Sequence, residues 1–340
     1  MNLLKKITSA AAITAVIAAQ TAVFAEFTDM PSGEMGTALQ HAVDNGLITG
    51  LDEHTIAPDA FITRAQMAAI ITRAFGAVNE AEISFPDVAE DAWYRDSVKK
   101  AVAMSAFKGD ENGNFNPENK ITFQEAYTVL SRVFYLEPNT VTLKDGSKTT
   151  LHNVDDSALN TFTDKDEVAG WAKLDVQSVV ANGGWTGIDG MLKPTASMTR
   201  GEFALIMDKL VTTYIDKPGS YTELPDGLTV VRVGGVAIDG FKSSKNLILS
   251  YGVDKDGCII SNADIKGATI VLGGANPVEA KDSTTGESKL IADTTAYVAL
   301  AGSFADIISP VPYTVVSLAG AEWLNYYGVE NTRVLIGDFQ

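Results

Sequence analysis

Two short segments place an arginine where elementary electrostatics disfavours it: Thr63-Arg64-Ala65-Gln66 and Thr199-Arg200-Gly201-Glu202. Both fit a Ser/Thr-x-x-Glu/Gln capping box, in which the threonine hydroxyl and the side chain three residues on satisfy free N–H groups at a helix start. The positive end of the helix dipole lies there, so an exposed arginine in that turn costs about 0.3–1 kcal/mol. One account is an anionic ligand, because an arginine beside unpaired helix N–H groups makes a site for a carboxylate or phosphate. The other is an ion pair with an aspartate of a neighbouring segment. Thr122-Phe123-Gln124-Glu125 keeps the box without the arginine, so the cap does not need the charge. That segment is expected to keep its structural part and to have lost or weakened its share of ligand binding. Trp93 and Trp171 add a second chemistry: an exposed ring beside an arginine can stack on a sugar, while a place in the core is the competing reading.

Other chemistry finds little support. His41, His54 and His152 are scattered, and neither His-Glu-x-x-His nor Gly-x-Ser-x-Gly occurs. Asp110-Glu111-Asn112-Gly113-Asn114 opens like a calcium loop, but Phe115 and Ile121 stand where an EF-hand needs Gly and Glu, so the segment reads as a turn. Cys258 is the single cysteine, which excludes an intrachain disulfide and suits a small core residue. No catalytic residue, metal site or cofactor is assigned. Asp254, Asp256, Asp264 and Asp306 leave open a carboxylate pair of the lyase or glycosidase kind, against the commoner reading of solvated carboxylates at strand turns.

The elements that must position these residues recur three times. Phe27-Thr28-Asp29, Phe85-Pro86-Asp87 and Phe162-Thr163-Asp164 each lead into a helical pattern, then a turn ending at Gly50, Gly109 or Gly187. Ile56-Ala57-Pro58, Phe115-Asn116-Pro117 and Leu192-Lys193-Pro194 follow, and then the capped second helix. Its core spacing is clear in Met67, Ile70, Ile71, Ala74 and Phe75 and again in Phe203, Ile206, Met207 and Leu210. In the first helix of the second repeat, Trp93, Val98, Ala101 and Val102 fall on one face. Each unit is too small to bury a core alone, so the three are expected to pack together, second helix against second helix around a shared axis. The interval from Asp87 to Asp164 exceeds that from Asp29 to Asp87, which places an insertion around 137–161, polar and loop-like, with Lys144-Asp145-Gly146-Ser147 as a turn.

Residues 1–25 read as a secretory signal: Lys5 and Lys6, an apolar stretch from Ile7 to Ala19, and Val23-Phe24-Ala25 before a mature start near Glu26. A membrane anchor competes, but the stretch is short of the roughly 20 apolar residues a span needs. The formal net charge of −17 becomes more negative when Lys5 and Lys6 are removed, which repels phosphate backbones and excludes nucleic acid as the expected partner. Hydrophobic residues at 46% point to packed cores rather than disorder.

The combined pattern, Phe-x-Asp, Trp, turn Gly, Pro and Thr-Arg-x-Glu/Gln, resembles the S-layer homology (SLH) domain over residues 27–213. The resemblance implies an all-α, pseudo-trimeric, three-pronged spindle whose grooves bind secondary cell-wall polysaccharide, often pyruvylated. On it Arg64 and Arg200 match the motif arginine, Trp93 and Trp171 the tryptophan, and Gly50, Gly109 and Gly187 the turn glycine. These seven are the expected polysaccharide-binding residues, while Phe123, Glu34 and Gln66 depart from the pattern. The implied location is outside the cell, at the bacterial wall or S-layer, with a wall polysaccharide or peptidoglycan-linked polymer as partner and other surface proteins as further ones.

From Leu224 onward the composition changes to apolar runs between Gly and polar turns: Leu228 to Val233, Leu247 to Leu249, Ile259-Ile260, Thr269 to Leu272, Tyr297 to Leu300, Tyr313 to Leu318 and Val334 to Ile336. These read as strands. Val236-Ala237-Ile238-Asp239-Gly240 is echoed by Ala263-Asp264-Ile265-Lys266-Gly267, a hint of stacked parallel β-helix coils, and Asn246 to Gly274 resembles β-helical segments of other SLH-bearing surface proteins. An antiparallel sandwich stays open, and the polar stretch 276–289 is expected to interrupt either fold. The expected organisation is a signal at 1–25, repeats at 26–76, 85–136 and 162–215, an inserted loop at 137–161, and an all-β domain at 221–340. The leading functional expectation is non-enzymatic wall anchoring, with the β-rich part displayed or used in assembly. The alternative is a wall-anchored carbohydrate-active enzyme with its active site on that part.

Overall fold

The computed structural model describes residues 27–136, 140–142, 148–150, 157–185, 187, 189–253, 256–273, 278–281, 284–292, 297–299, 302–309, 315–317, 321–328 and 333–335; in the hairpin and beyond 273 it is backbone pairing, with the burial of Ile307 and Ile308, that is described. The signal expected at 1–25 and the turn expected at 144–147 lie outside these residues.

The first repeat supplies α1 (Gly33–Asp44) and α2 (Arg64–Ala74), the second α3 (Arg95–Ala103) and α4 (Phe123–Val133), the third α5 (Lys173–Ala181) and α6 (Arg200–Leu210). Each second helix begins at a complete capping box, on Thr63, Thr122 and Thr199. The predicted core residues of α2 and α6 are all buried. The second helices are central, and the rings of Phe75 and Phe134 at the ends of α2 and α4 meet at 5.1 Å. Their close helix partners, however, are first helices of the following repeat: α2 lies on α3, α4 on α5, and α6 returns to α1. The three repeats thus close a ring. Short antiparallel bridges before the second helices, Phe61 with Thr199, Thr63 with Lys120 and Thr122 with Ser197, join the same ring at its apex. In α3, Val98 and Ala101 face the core, but Trp93 lies outside the helix and is 63% exposed. The insertion is not wholly loop: Thr140–Thr142 pairs antiparallel with Lys148–Thr150.

The carboxy-terminal half is a stack of parallel ladders. In the first, Thr213–Ile215, Thr229–Val231, Leu247–Leu249, Ala268–Val271, Thr284–Ala292, Gly302–Ser309 and Ala321–Gly328 pair in chain order. A second joins Gly219–Tyr221, Val236–Asp239, Cys258–Ser261 and Val278–Lys281, and a third joins Tyr297–Ala299, Val315–Ser317 and Arg333–Leu335. Strands therefore begin at 213, inside the span expected for the third repeat. The polar stretch at 276–289 does not interrupt the stack; parts of it form strands in two ladders, because parallel pairing is a backbone property that polar side chains do not prevent. The echo between 236–240 and 263–267 is not the stacking period. Asp239 pairs with Ser261 and Asp264 with Lys242, so the two segments occupy different ladders.

The unbroken apolar runs have a direct cause. Alternate residues of the first ladder point two ways: Val231, Leu247, Leu249, Val271 and Ile307 into the stack, Val230, Ile248, Ile270 and Ile308 into the same core as the helices. A sheet covered on both faces loses the polar alternation of a half-exposed one. Polar groups complete the joint. Ser250 Oγ lies 2.8 Å from the Phe75 carbonyl, and Asn246 Nδ2 donates to the Phe134 carbonyl at 3.3 Å, so side chains of the sheet cap the C-terminal ends of α2 and α4. Arg232 Nη1 donates to the Asn45 carbonyl at 3.0 Å. Cys258 is buried in the stack, and burial pushes its thiol up to about 12, so it serves as a packing residue.

Candidate functional site

The motif residues meet across repeats rather than within them. In each repeat the aspartate of Phe-x-Asp accepts two N–H groups at the bend before the proline: Asp29 from Ile56 and Ala57, Asp87 from Phe115 and Asn116, Asp164 from Leu192 and Lys193. Those bonds hold Ala57, Asn116 and Lys193 at positive φ (54°, 60° and 54°), a conformation that L residues seldom adopt unassisted. The bend in turn presents carbonyls to the second helix of the preceding repeat in the ring. Arg200 N–H donates to Ala60 O and Gly201 N–H to Pro58 O; Arg64 and Ala65 donate to Asn119 and Pro117, and Phe123 and Gln124 to Ala196 and Pro194.

These bonds revise the expectation for the helix starts. With the capping box taking the N–H groups of the cap residue and the third helical residue, and the neighbour's carbonyls taking the two between, no unpaired N–H remains there for an anion. The arginines follow the same pattern. Arg200 Nε donates to Ile56 O at 3.0 Å and Nη2 to Thr49 O at 2.8 Å; Arg64 Nε donates to Phe115 O at 2.8 Å and Nη2 to Lys108 O at 2.7 Å. Neither of the two accounts from sequence foresaw carbonyl acceptors. Burial lowers the pKa of both guanidiniums, and the Arg64 group also lies 4.9 Å from the Phe107 and Phe115 ring centres.

The turn glycines are required by packing. A Cβ on Gly50, Gly109 or Gly187 would lie 2.5, 2.7 or 2.5 Å from Cε1 of Phe27, Phe85 or Phe162, the phenylalanine that opens the same repeat. The glycines thus let Phe-x-Asp close over the turn.

A groove of about 270 Å³ forms where three repeats converge: the Gly50 turn of the first with Leu51, Trp93 of the second and Arg200 of the third, floored by Gln66, Ala69, Ile70 and Arg73 of α2. Arg73 carries no motif of its own in the sequence, although superposing the repeats places Arg132 and Lys209 at its position. The equivalent surface at the Gly109 turn has Arg64, with Trp171, 59% exposed, leading into the α5 that packs on α4. The Phe123 departure falls elsewhere. Phe123 packs on Trp185 beside the third repeat's turn, with ring centres 5.2 Å apart, so the turn without an arginine is that of Gly187 and not the second repeat's own. Glu34 completes the contrast, since it binds Lys209 at 2.5 Å where the other repeats expose a tryptophan.

A second cavity, about 200 Å³ between α1 and α6, contains His41 and Asp208 at 2.7 Å and none of the seven motif residues. Asp226 and Asp239 are engaged by Ser244 and Asn262 at neighbouring turns. The side chains of Asp254 and Asp306 lie outside the described residues. Among the described residues, no helix is long and apolar enough to cross a membrane, and no group of three His, Cys, Asp or Glu converges to hold a metal.

Acid sensitivity should follow from the bends. The Asp29 carboxyl sits below its usual 3.8, chiefly because it accepts the Ile56 N–H, with Ala57 adding to it. A depressed carboxyl contributes stability that is present above its unfolded value and lost as pH falls through its folded one. Melting temperature should therefore fall more steeply below about pH 4 for wild type than for Asp29→Asn. Parallel profiles would remove Asp29 from the acid response.

Comparison with known proteins gives the repeats their relatives. The S-layer homology domain model matches residues 26–68, 84–126 and 161–204. The chain is 31% identical over 184 residues to the "Surface-layer 125 kDa protein" of Lysinibacillus sphaericus, covering 53% of this chain and 14% of that protein. It is 26% identical over 273 residues to the "S-layer protein EA1" of Bacillus anthracis, covering 78% and 29%. It is 30% identical over 105 residues to an "Endoglucanase" of Bacillus sp. (strain KSM-635), covering 28% and 11%. The chain thus spans less than a third of the length of each of these relatives.

Proposed function

Because the protein carries three S-layer homology domains, we propose that it is a secreted cell-wall or S-layer protein, held non-covalently on an anionic secondary wall polysaccharide. The observation that carries this reading is the groove in which Gly50, Trp93 and Arg200, one from each repeat, meet beside Arg73. An exposed indole next to two cations suits an acidic sugar, stacking its ring and attracting its charge. In this reading Trp93 and Trp171 touch sugar, Arg64 and Arg200 hold the groove walls in place and contribute charge, and Gly50, Gly109 and Gly187 shape the turns. The parallel ladders support a β-helix at about 213–335, joined to the repeats as one core. The surface-layer relatives support a structural rather than enzymatic role; the similarity to a protein named as an endoglucanase keeps the enzymatic alternative in view.

The test is retention on purified sacculi with and without their secondary polymer. Wild type should be retained only where the polymer remains. Trp93→Ala, at an exposed position, should bind about tenfold more weakly or worse with an unchanged melting temperature. Equal retention on stripped sacculi would sink the anchoring mechanism, whereas full binding by Trp93→Ala would sink the placement of the site.

A further inference from the structure

The three turn surfaces carry different charge. At the Gly50 groove, Arg73 and Arg200 line one wall region with no carboxylate among the lining residues. Burial lowers the pKa of Arg200, the Asp29 carboxylate opposes that, and Arg73 adds to the lowering. At the Gly109 turn, three carboxylates, Glu125, Asp110 and Asp87, act to raise the pKa of Arg64 against burial, of which only Asp87 has a counterpart, Asp29, acting on Arg200, and Arg132 faces Asp175 at 3.9 Å. At the Gly187 turn, Phe123 replaces the arginine and Glu34 neutralises Lys209.

Two residues account for most of the difference between the first two surfaces. Gln66 holds the third position of its capping box, where the other second helices have Glu125 and Glu202. Leu51 follows the turn glycine where the second repeat has Asp110, and it is 58% exposed. Gln66 performs the cap as a carboxylate does, accepting the Thr63 N–H at 3.2 Å, so the fold is indifferent to its charge. The groove is not.

Building on the polysaccharide-anchoring reading, we propose that the Gly50 groove binds the acidic sugar more tightly than the other two surfaces, and that Gln66 and Leu51 are the specificity-determining residues, because they place no carboxylate in the groove beside Arg73 and Arg200. Its ligand is an acidic sugar unit, with the ring on Trp93. Anion affinity depends on the local field, and a carboxylate added a few ångströms from a bound anion opposes it strongly in a site partly shielded from water.

The experiment uses the full chain on purified secondary wall polymer immobilised on a biosensor. Gln66→Glu and Leu51→Asp, which give the first groove the carboxylates of the second, should each weaken binding about tenfold, and the loss should shrink in high salt. Glu125→Gln, made in the second surface, should not weaken binding. Gln66→Glu keeps a complete capping box and Leu51→Asp alters an exposed side chain, so melting temperatures should match wild type. Wild-type affinity in both Gln66→Glu and Leu51→Asp, with wild type itself binding, overturns this assignment and leaves anchoring intact. Failure of wild type to bind the polymer overturns anchoring and the assignment together.

Discussion

Arg200→Ala should destabilise the whole protein by about 3 kcal/mol or more, far beyond what a ligand contact on a surface would cost. Arg200 is 4% exposed, and its guanidinium bridges Ile56 O and Thr49 O, the two ends of the turn around Gly50. Its removal leaves two carbonyls without their donor and a gap between the third and first repeats. A buried acceptor stripped of its partner loses about 1–3 kcal/mol, and hydrogen bonds from a charged donor are at the upper end of the range. Arg200→Lys should recover little, because an ammonium cannot span two acceptors set apart for a planar fork. The measurement is the urea midpoint with the slope held to the wild-type value. A midpoint within error of wild type would return Arg200 to a purely ligand-binding role. Loss of wall binding in Arg200→Ala therefore cannot by itself locate a sugar, and Trp93→Ala and Gln66→Glu are the better probes.

A chain ended after residue 212 should lose cooperative folding, and the intact chain should unfold in one transition. The expected cause is the shared core: Val230, Ile248, Ile270 and Ile308 of the sheet lie in one apolar cluster with Phe75, Phe134 and Leu210 of the helices. Removing the sheet uncovers the ends of α2 and α4 and takes away the Ser250 and Asn246 caps. Burying a large apolar side chain contributes about 1.5–3 kcal/mol, so exposing several together exceeds the net stability of an ordinary domain, about 5–15 kcal/mol. Helical ellipticity and tyrosine fluorescence should report the same midpoint in the full chain. Two well-separated midpoints, or a truncated chain as stable as the full one, would show the halves to be independent.

The local features were legible in the sequence because their causes are local. The capping boxes at Thr63, Thr122 and Thr199 needed four residues each, and the turn glycines and Phe-x-Asp pairs recurred at matching intervals. What the motifs touch was not legible. The acceptors of Arg64 and Arg200 are backbone carbonyls of another repeat, and a carbonyl has no sequence signature. The same blindness assigned the Phe123 departure to the second repeat, when the ring closure moves it to the turn of the third. In the ladders the apolar runs signal strands, but 284–292 does not, since its side chains carry no pattern and parallel pairing rests on the backbone. The echo at 263–267 misled because both segments end a strand at a similar turn while stacking on different partners.

The closure of α6 onto α1 has a mechanical meaning. In an open array of repeats, tension peels one unit after another, each resisting alone. Here a load entering from the sheet through Leu210 arrives at α6, whose nearest neighbour is the first repeat, so the first and last units share the strain from the outset. Rupture requires shearing the ring as a whole, and its rate is set by one large barrier in place of three small ones. A surface protein tugged by flow or by growth of the wall would hold, or fail, all at once.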